Sequence, residues 1–128
     1  MKARTLLVFT SFLEILTGIG LLLAPGMLIR ILLGAEVNDP IVFTIARVGG
    51  SAILSVGIIC WLARNGSQSP ALKALTSGLL VYNVAVFATL AYSAVSYKMT
   101  PALIAALVVH GALAVFCISS LQKSGKSV

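Results

Sequence analysis

Four long apolar runs, at 5–24, 41–63, 71–96 and 101–121, account for most of the chain and are separated by short polar or proline-marked breaks. Each is about as long as an α-helix must be to cross ~30 Å of hydrocarbon at ~1.5 Å per residue. The breaks share one punctuation: Asp39-Pro40, Ser69-Pro70 and Thr100-Pro101 stand at the heads of the second, third and fourth runs. At each, a side-chain oxygen is placed to accept an orphan amide of the first turn, and a proline at the first helical position loses no intrahelical bond. The pattern predicts an all-α fold, an integral membrane bundle of four transmembrane helices running up, down, up and down. It forms a single domain over 1–128 and leaves no stretch for a soluble one.

The segment 25–34, Pro-Gly-Met-Leu-Ile-Arg-Ile-Leu-Leu-Gly, is too short to span and strongly apolar. Two readings stand: a short helix in the outer interface with Arg30 turned to the headgroups, or a continuation of the first span bent at Pro25. Residues 64–69 read as an ordinary turn, and the polar, basic tail from Gln122 as mobile.

Composition strengthens the membrane reading. The chain is 59% hydrophobic and 9% charged, whereas soluble domains carry roughly a quarter charged residues. A net charge of +6 would suggest nucleic acid in a soluble protein, but here its distribution reads as topology. If the first span starts inside, the inner side holds Lys2, Arg4, Arg64, Lys73, Lys123 and Lys126, and the outer side Arg30 and Lys98 beside Glu36 and Asp39. That bias places both termini in the cytoplasm. The bilayer, not nucleic acid, is the expected partner. Met1 to Arg4 before an apolar run imitates a signal peptide, but Glu14 inside that run and Pro25 directly after Ala24 argue for keeping it as the first span. Trp61 near the inner boundary, with Tyr92 and Tyr97 near the outer one, fits the aromatic belts. Cys60 and Cys117 fall at similar depth toward the reducing side and read as packing thiols.

Candidate chemistry lies inside the spans, one costly group in each: Glu14, Arg47, Asn83 and His110. Ionisable groups at the bilayer midplane are expensive and mark functional sites by default. Counting along the helices puts Glu14, Asn83 and His110 about 14 to 16 Å deep, while Arg47 starts about 9 Å below the outer edge with a side chain long enough to reach inward. Thr10 and Thr17 share a face with Glu14; Thr44, Ser51 and Ser55 share one with Arg47; Thr76 lies roughly on the face of Asn83. All are expected to turn into the bundle, where Glu14 and Arg47 either pair or hold a ligand. The patterns Ala46-x3-Gly50, Ser51-x3-Ser55, Ala85-x3-Thr89-x3-Ser93 and Ala106-x3-His110-x3-Ala114 would allow close helix approach. A single histidine does not make a zinc site, and no catalytic triad, phosphate loop or dinucleotide fingerprint is present.

Glu14-x2-Thr17-Gly18, the Ala24-Pro25 break, Leu32-Leu33-Gly34 and Arg47-x-Gly49-Gly50, with Gly57 six residues after Ser51, resemble the DoxX-like group of small four-span bacterial membrane proteins. The likeness covers the first half of the chain best. It implies a protein of the bacterial cytoplasmic membrane, and named members of the group include subunits associated with thiosulfate:quinone oxidoreduction. It supplies no catalytic motif to carry over. A second likeness, to small multidrug transporters with a membrane glutamate in the first span, sits badly with the strong charge bias and with the absence of an aromatic cage near Glu14.

Three functions follow as expectations. The first is a non-enzymatic module binding a quinone or lipid between its helices through Glu14, Arg47, Asn83 and His110, as a small subunit of a membrane complex or a homo-oligomer. The second is a proton-coupled small transporter in which Glu14 titrates and His110 relays. The third is a structural or assembly subunit whose polar groups serve folding only.

Overall fold

The computed structural model describes residues 3–66, 69–96 and 98–124. Lys2, Tyr97, Lys126, the side chain of Lys123 and positions 67 and 68 of the 64–69 turn lie outside the described residues. Five helices form: α1 (Ala3–Leu23), α2 (Pro25–Leu33), α3 (Pro40–Ala63), α4 (Pro70–Ser96) and α5 (Pro101–Ser124). All except α2 are long and apolar enough to cross a membrane. Their outward faces carry Leu23, Ile41, Val81, Val95 and Val108, all more than 60% exposed. Water would not tolerate such a surface on a monomer, and lipid does. The chain is a multi-pass membrane protein built as a four-helix bundle.

The three proline-marked boundaries form as their chemistry dictates. Asp39 Oδ1 accepts from the Ile41 amide at 2.8 Å, Ser69 Oγ from Leu72 at 3.2 Å and Thr100 Oγ1 from Leu103 at 3.0 Å. Each satisfies one of the amides that a helix start leaves unpaired. The tail begins later than the sequence suggests, because α5 carries Gln122 as far as Ser124.

After a single non-helical residue, Ala24, the chain resumes as α2 and folds back to touch α1, α3 and α5. It is a separate helix across one end of the bundle, not a straight continuation of α1. Gly34 ends it at φ +66°, a left-handed conformation that glycine adopts without a Cβ clash, and its amide bonds the Arg30 carbonyl at 2.9 Å. Thr100 then ties the end of α2 to the start of α5 by donating to the Leu32 carbonyl at 2.6 Å.

Two antiparallel pairs carry the packing, α1 with α3 and α4 with α5, and α1 also meets α5. The α1–α3 contact is close because three glycines remove side chains from it. A Cβ on Gly18 would come within 2.8 Å of the Gly50 carbonyl oxygen, one on Gly50 within 3.0 Å of the Gly18 carbonyl oxygen, and one on Gly57 within 2.8 Å of the Ile15 amide. Small residues let two backbones approach in lipid, where burial of apolar surface gives no drive to associate. Of the predicted small-residue patterns, Gly50 lies on this seam, and Ala106 and Ala114 flank buried His110, but Ser51, Ser55, Ala85 and Thr89 lie on outward faces. The core sits toward the end opposite α2, where Leu6, Leu7, Cys60, Leu72, Leu79, Leu113 and Cys117 from all four spans form one cluster. Both cysteines are buried free thiols within it.

Candidate intramembrane polar site

Each long helix presents a seam to the interior, and the polar groups of interest sit on three of the four. On α1 the seam runs Leu7, Thr10, Ser11, Glu14 and Gly18; on α4 it runs Leu72, Thr76, Leu79 and Asn83, both at three- and four-residue spacing. On α5, Leu103, His110, Leu113 and Cys117 are buried. Glu14 is 1% exposed, Asn83 0% and His110 9%, so all three point away from lipid.

Their partners divide into two bonded pairs meeting on α4. The Tyr82 hydroxyl donates to Glu14 Oε2 at 2.8 Å, joining α4 to α1. Asn83 Oδ1 and His110 Nδ1 lie 2.9 Å apart, joining α4 to α5. Consecutive helical residues point about 100° apart, so adjacent positions on one helix reach two different neighbours. Asn83 Nδ2 donates to the Leu79 carbonyl at 2.7 Å, which fixes the amide orientation and makes Oδ1 the acceptor. His110 Nδ1 therefore carries the proton and Nε2 is left as an acceptor. The rings of Tyr82 and His110 meet edge to face with centroids 6.0 Å apart, so the two pairs are in van der Waals register. The α1–α4 connection rests on the two long side chains rather than on close backbone approach.

Two buried atoms have no hydrogen-bond partner among the described residues, Glu14 Oε1 and Thr10 Oγ1. They lie one helical turn apart on the same face of α1. Many helical hydroxyls, Thr44, Ser51, Ser55, Thr76, Ser77, Thr89 and Ser93 among them, donate to the carbonyl four residues before them, whereas Thr10 is buried and makes no such bond. Ser11 bonds the carbonyl three residues back. Leaving a buried polar atom unsatisfied costs about 1–3 kcal/mol, and here two such atoms belong to residues one turn apart on one helix face.

Arg47 does not join this group. Its Nε donates to the Leu22 carbonyl at 3.2 Å and the side chain is otherwise exposed. Leu22 lies eight residues beyond Glu14, about 12 Å along α1, so the expected Glu14–Arg47 pair does not form. The guanidinium instead meets a different need. The helix breaks at Ala24 and Pro25, leaving the last carbonyls of α1 without the amides that would continue it, and a cation there is also favoured by the helix dipole. The only ion pair among the described residues is the exposed Arg30–Glu36 contact at 3.5 Å.

Of the expected supporting residues, Thr10 adjoins Glu14 and Thr17 is half-buried a turn further on, while Ser51 and Ser55 face outward. The premise that hydroxyls must turn inward fails because a serine or threonine can satisfy itself on its own helix. Tyr82 was not singled out from the sequence. The available signal was a tyrosine twelve residues into a span, far from either interface, where a buried hydroxyl requires a partner.

No protein-family model, no curated protein and no solved structure matches the chain.

Proposed function

We propose that this protein is a non-enzymatic membrane module that binds the polar head of a small hydrophobic molecule, of quinone class, against Thr10 and Glu14. The observation that carries the reading is the pair of unpartnered buried atoms, Thr10 Oγ1 and Glu14 Oε1. A quinone carbonyl oxygen accepts a hydrogen bond from the Thr10 hydroxyl. Glu14 donates to such a carbonyl in its acid form and accepts from a quinol hydroxyl in its carboxylate form. Tyr82 holds the other carboxyl oxygen in place, and the Asn83–His110 pair stands behind Tyr82 as its support. Arg47 has no part in this site; it belongs to the α1–α2 junction.

The DoxX-like resemblance, with members associated with thiosulfate:quinone oxidoreduction, favours the same ligand class and a place as a small subunit of a redox complex in the bacterial cytoplasmic membrane. The charges at Arg4, Arg64 and Lys73, all at the helix ends away from α2, favour cytoplasmic termini. Protein extracted in mild detergent from quinone-containing membranes is expected to carry quinone by mass spectrometry. Glu14→Gln and Thr10→Val should each retain about tenfold less, the loss of one good hydrogen bond. Equal retention in all three proteins overturns the proposal.

A second reading draws on the two bonds that tie α4 to α1 and α5: the polar groups serve to set helix register. It predicts that Glu14→Gln, Tyr82→Phe, Asn83→Ala and His110→Ala all lose stability while no variant or wild-type preparation yields a ligand. The proton-coupled carrier expectation is tested in proteoliposomes, where an imposed gradient should drive proton flux that Glu14→Gln abolishes.

A further inference from the structure

A recess lies at the opposite level of the molecule from the core, between α2, the 34–39 linker and the start of α3. It is an open groove of roughly 520 Å³ lined by Gly26, Met27, Arg30, Ile31, Glu36, Val37, Asn38 and Phe43. Its walls differ in chemistry. Met27, Ile31, Val37 and Phe43 form an apolar side, and the Phe43 ring closes onto the bare backbone at Gly26, where an added Cβ would meet it at 3.2 Å. Arg30, Glu36 and Asn38 form the polar side. Phe43 lies three residues into a membrane-spanning helix, about 5 Å from its end, so the recess sits at headgroup depth.

From this arrangement we infer that the recess binds a zwitterionic phospholipid with a primary ammonium headgroup, phosphate against Arg30 and ammonium against Glu36. Opposite charges on the two residues match opposite charges within one headgroup. The Arg30–Glu36 separation of 3.5 Å, with both side chains at least 70% exposed, is looser than the 2.7–2.9 Å of a charge-assisted hydrogen bond. Each partner thus keeps capacity for a ligand, and an exposed pair is weak enough to be parted. The other acid nearby, Asp39, caps α3 through Oδ1 and does not line the recess, so Glu36 is the acid placed to receive an ammonium. A quaternary ammonium lacks the N–H groups that Glu36 accepts, and a lone Phe43 does not make the aromatic cage that would replace them. An anionic headgroup without an amine would leave Glu36 facing a phosphate. The site is independent of the Thr10–Glu14 layer.

The test uses the full chain in nanodiscs made from equal parts phosphatidylethanolamine, phosphatidylcholine and phosphatidylglycerol, followed by native mass spectrometry of retained lipid. Wild-type protein is expected to hold phosphatidylethanolamine over phosphatidylcholine by roughly tenfold, the worth of one charge-assisted hydrogen bond. Glu36→Gln should erase that preference while retaining phospholipid, and Arg30→Gln should lower retention of all three lipids. Met27→Trp, which fills the apolar side without touching a charge, should exclude lipid in a protein whose quinone retention matches wild type. Equal retention of the three lipids by wild type, a preference for phosphatidylglycerol, or an unchanged preference in Glu36→Gln would each overturn the assignment.

Discussion

Tyr82 and Asn83 are neighbours in the chain, yet one holds α1 through Glu14 and the other holds α5 through His110. Removing the Tyr82 hydroxyl leaves a carboxyl oxygen buried without its donor. Tyr82→Phe is therefore expected to destabilise the folded protein by about 1–3 kcal/mol, the cost of leaving a buried polar atom unsatisfied. Combining it with Glu14→Leu should cost less than the sum of the two single changes, because the pair is then absent as a unit. Thermal unfolding in detergent measures both, and strict additivity would show that the two side chains do not interact. How much of this was legible in the sequence differs residue by residue. Glu14 announced itself by its position in an apolar run, and Asn83 and His110 by theirs. Tyr82 did not, since tyrosine is ordinary in membrane helices and only its direction makes it special. Arg47 goes elsewhere because its acceptor is the Leu22 carbonyl at the broken end of α1, which depth, reach and helix face along α3 do not reveal.

At the scale of the helix, the boundaries were the clearest features of the sequence, because capping chemistry is local. Asp39, Ser69 and Thr100 each cap an amide within three residues of themselves. The packing faces were less legible. Gly18, Gly50 and Gly57 form the α1–α3 seam, while Gly49 and Gly78 have nothing within 4 Å of an added Cβ, and no local property separates the two sets. That contrast makes a prediction. Gly57→Ala should destabilise by about 1–3 kcal/mol, the usual cost of overpacking, whereas Gly78→Ala should be neutral or stabilise by up to about 1 kcal/mol through helix propensity. Unfolding in detergent, or protease resistance of the two variants, distinguishes them. Equal effects would remove the glycine seam from the account. Arg47→Ala should cost about 1 kcal/mol by leaving the Leu22 carbonyl unpaired and the end of α1 without its cation. It should leave quinone retention unchanged, which separates this arginine from the Thr10–Glu14 site.

For the whole molecule, composition alone dictated a helical bundle in lipid, and four spans with short links left few topologies to choose among. What it did not dictate was the pairing of spans, α1 on α3 and α4 on α5, or the turn of α2 back across the bundle, since both arise from contacts distant in sequence. The proposed orientation predicts that a cysteine placed at Asn65 in a Cys60→Ser, Cys117→Ser background reacts with a membrane-impermeant maleimide only after cells are opened, and one at Asn38 reacts in intact spheroplasts. The reverse pattern would invert the protein. Most directly, a photoreactive quinone analogue should label the α1 segment around Thr10 and Glu14, or Tyr82 opposite it, and excess unlabelled quinone should compete. Labelling confined to lipid-facing positions, and equally strong in Thr10→Val and Glu14→Gln, would contradict the claim that those two side chains hold a ligand.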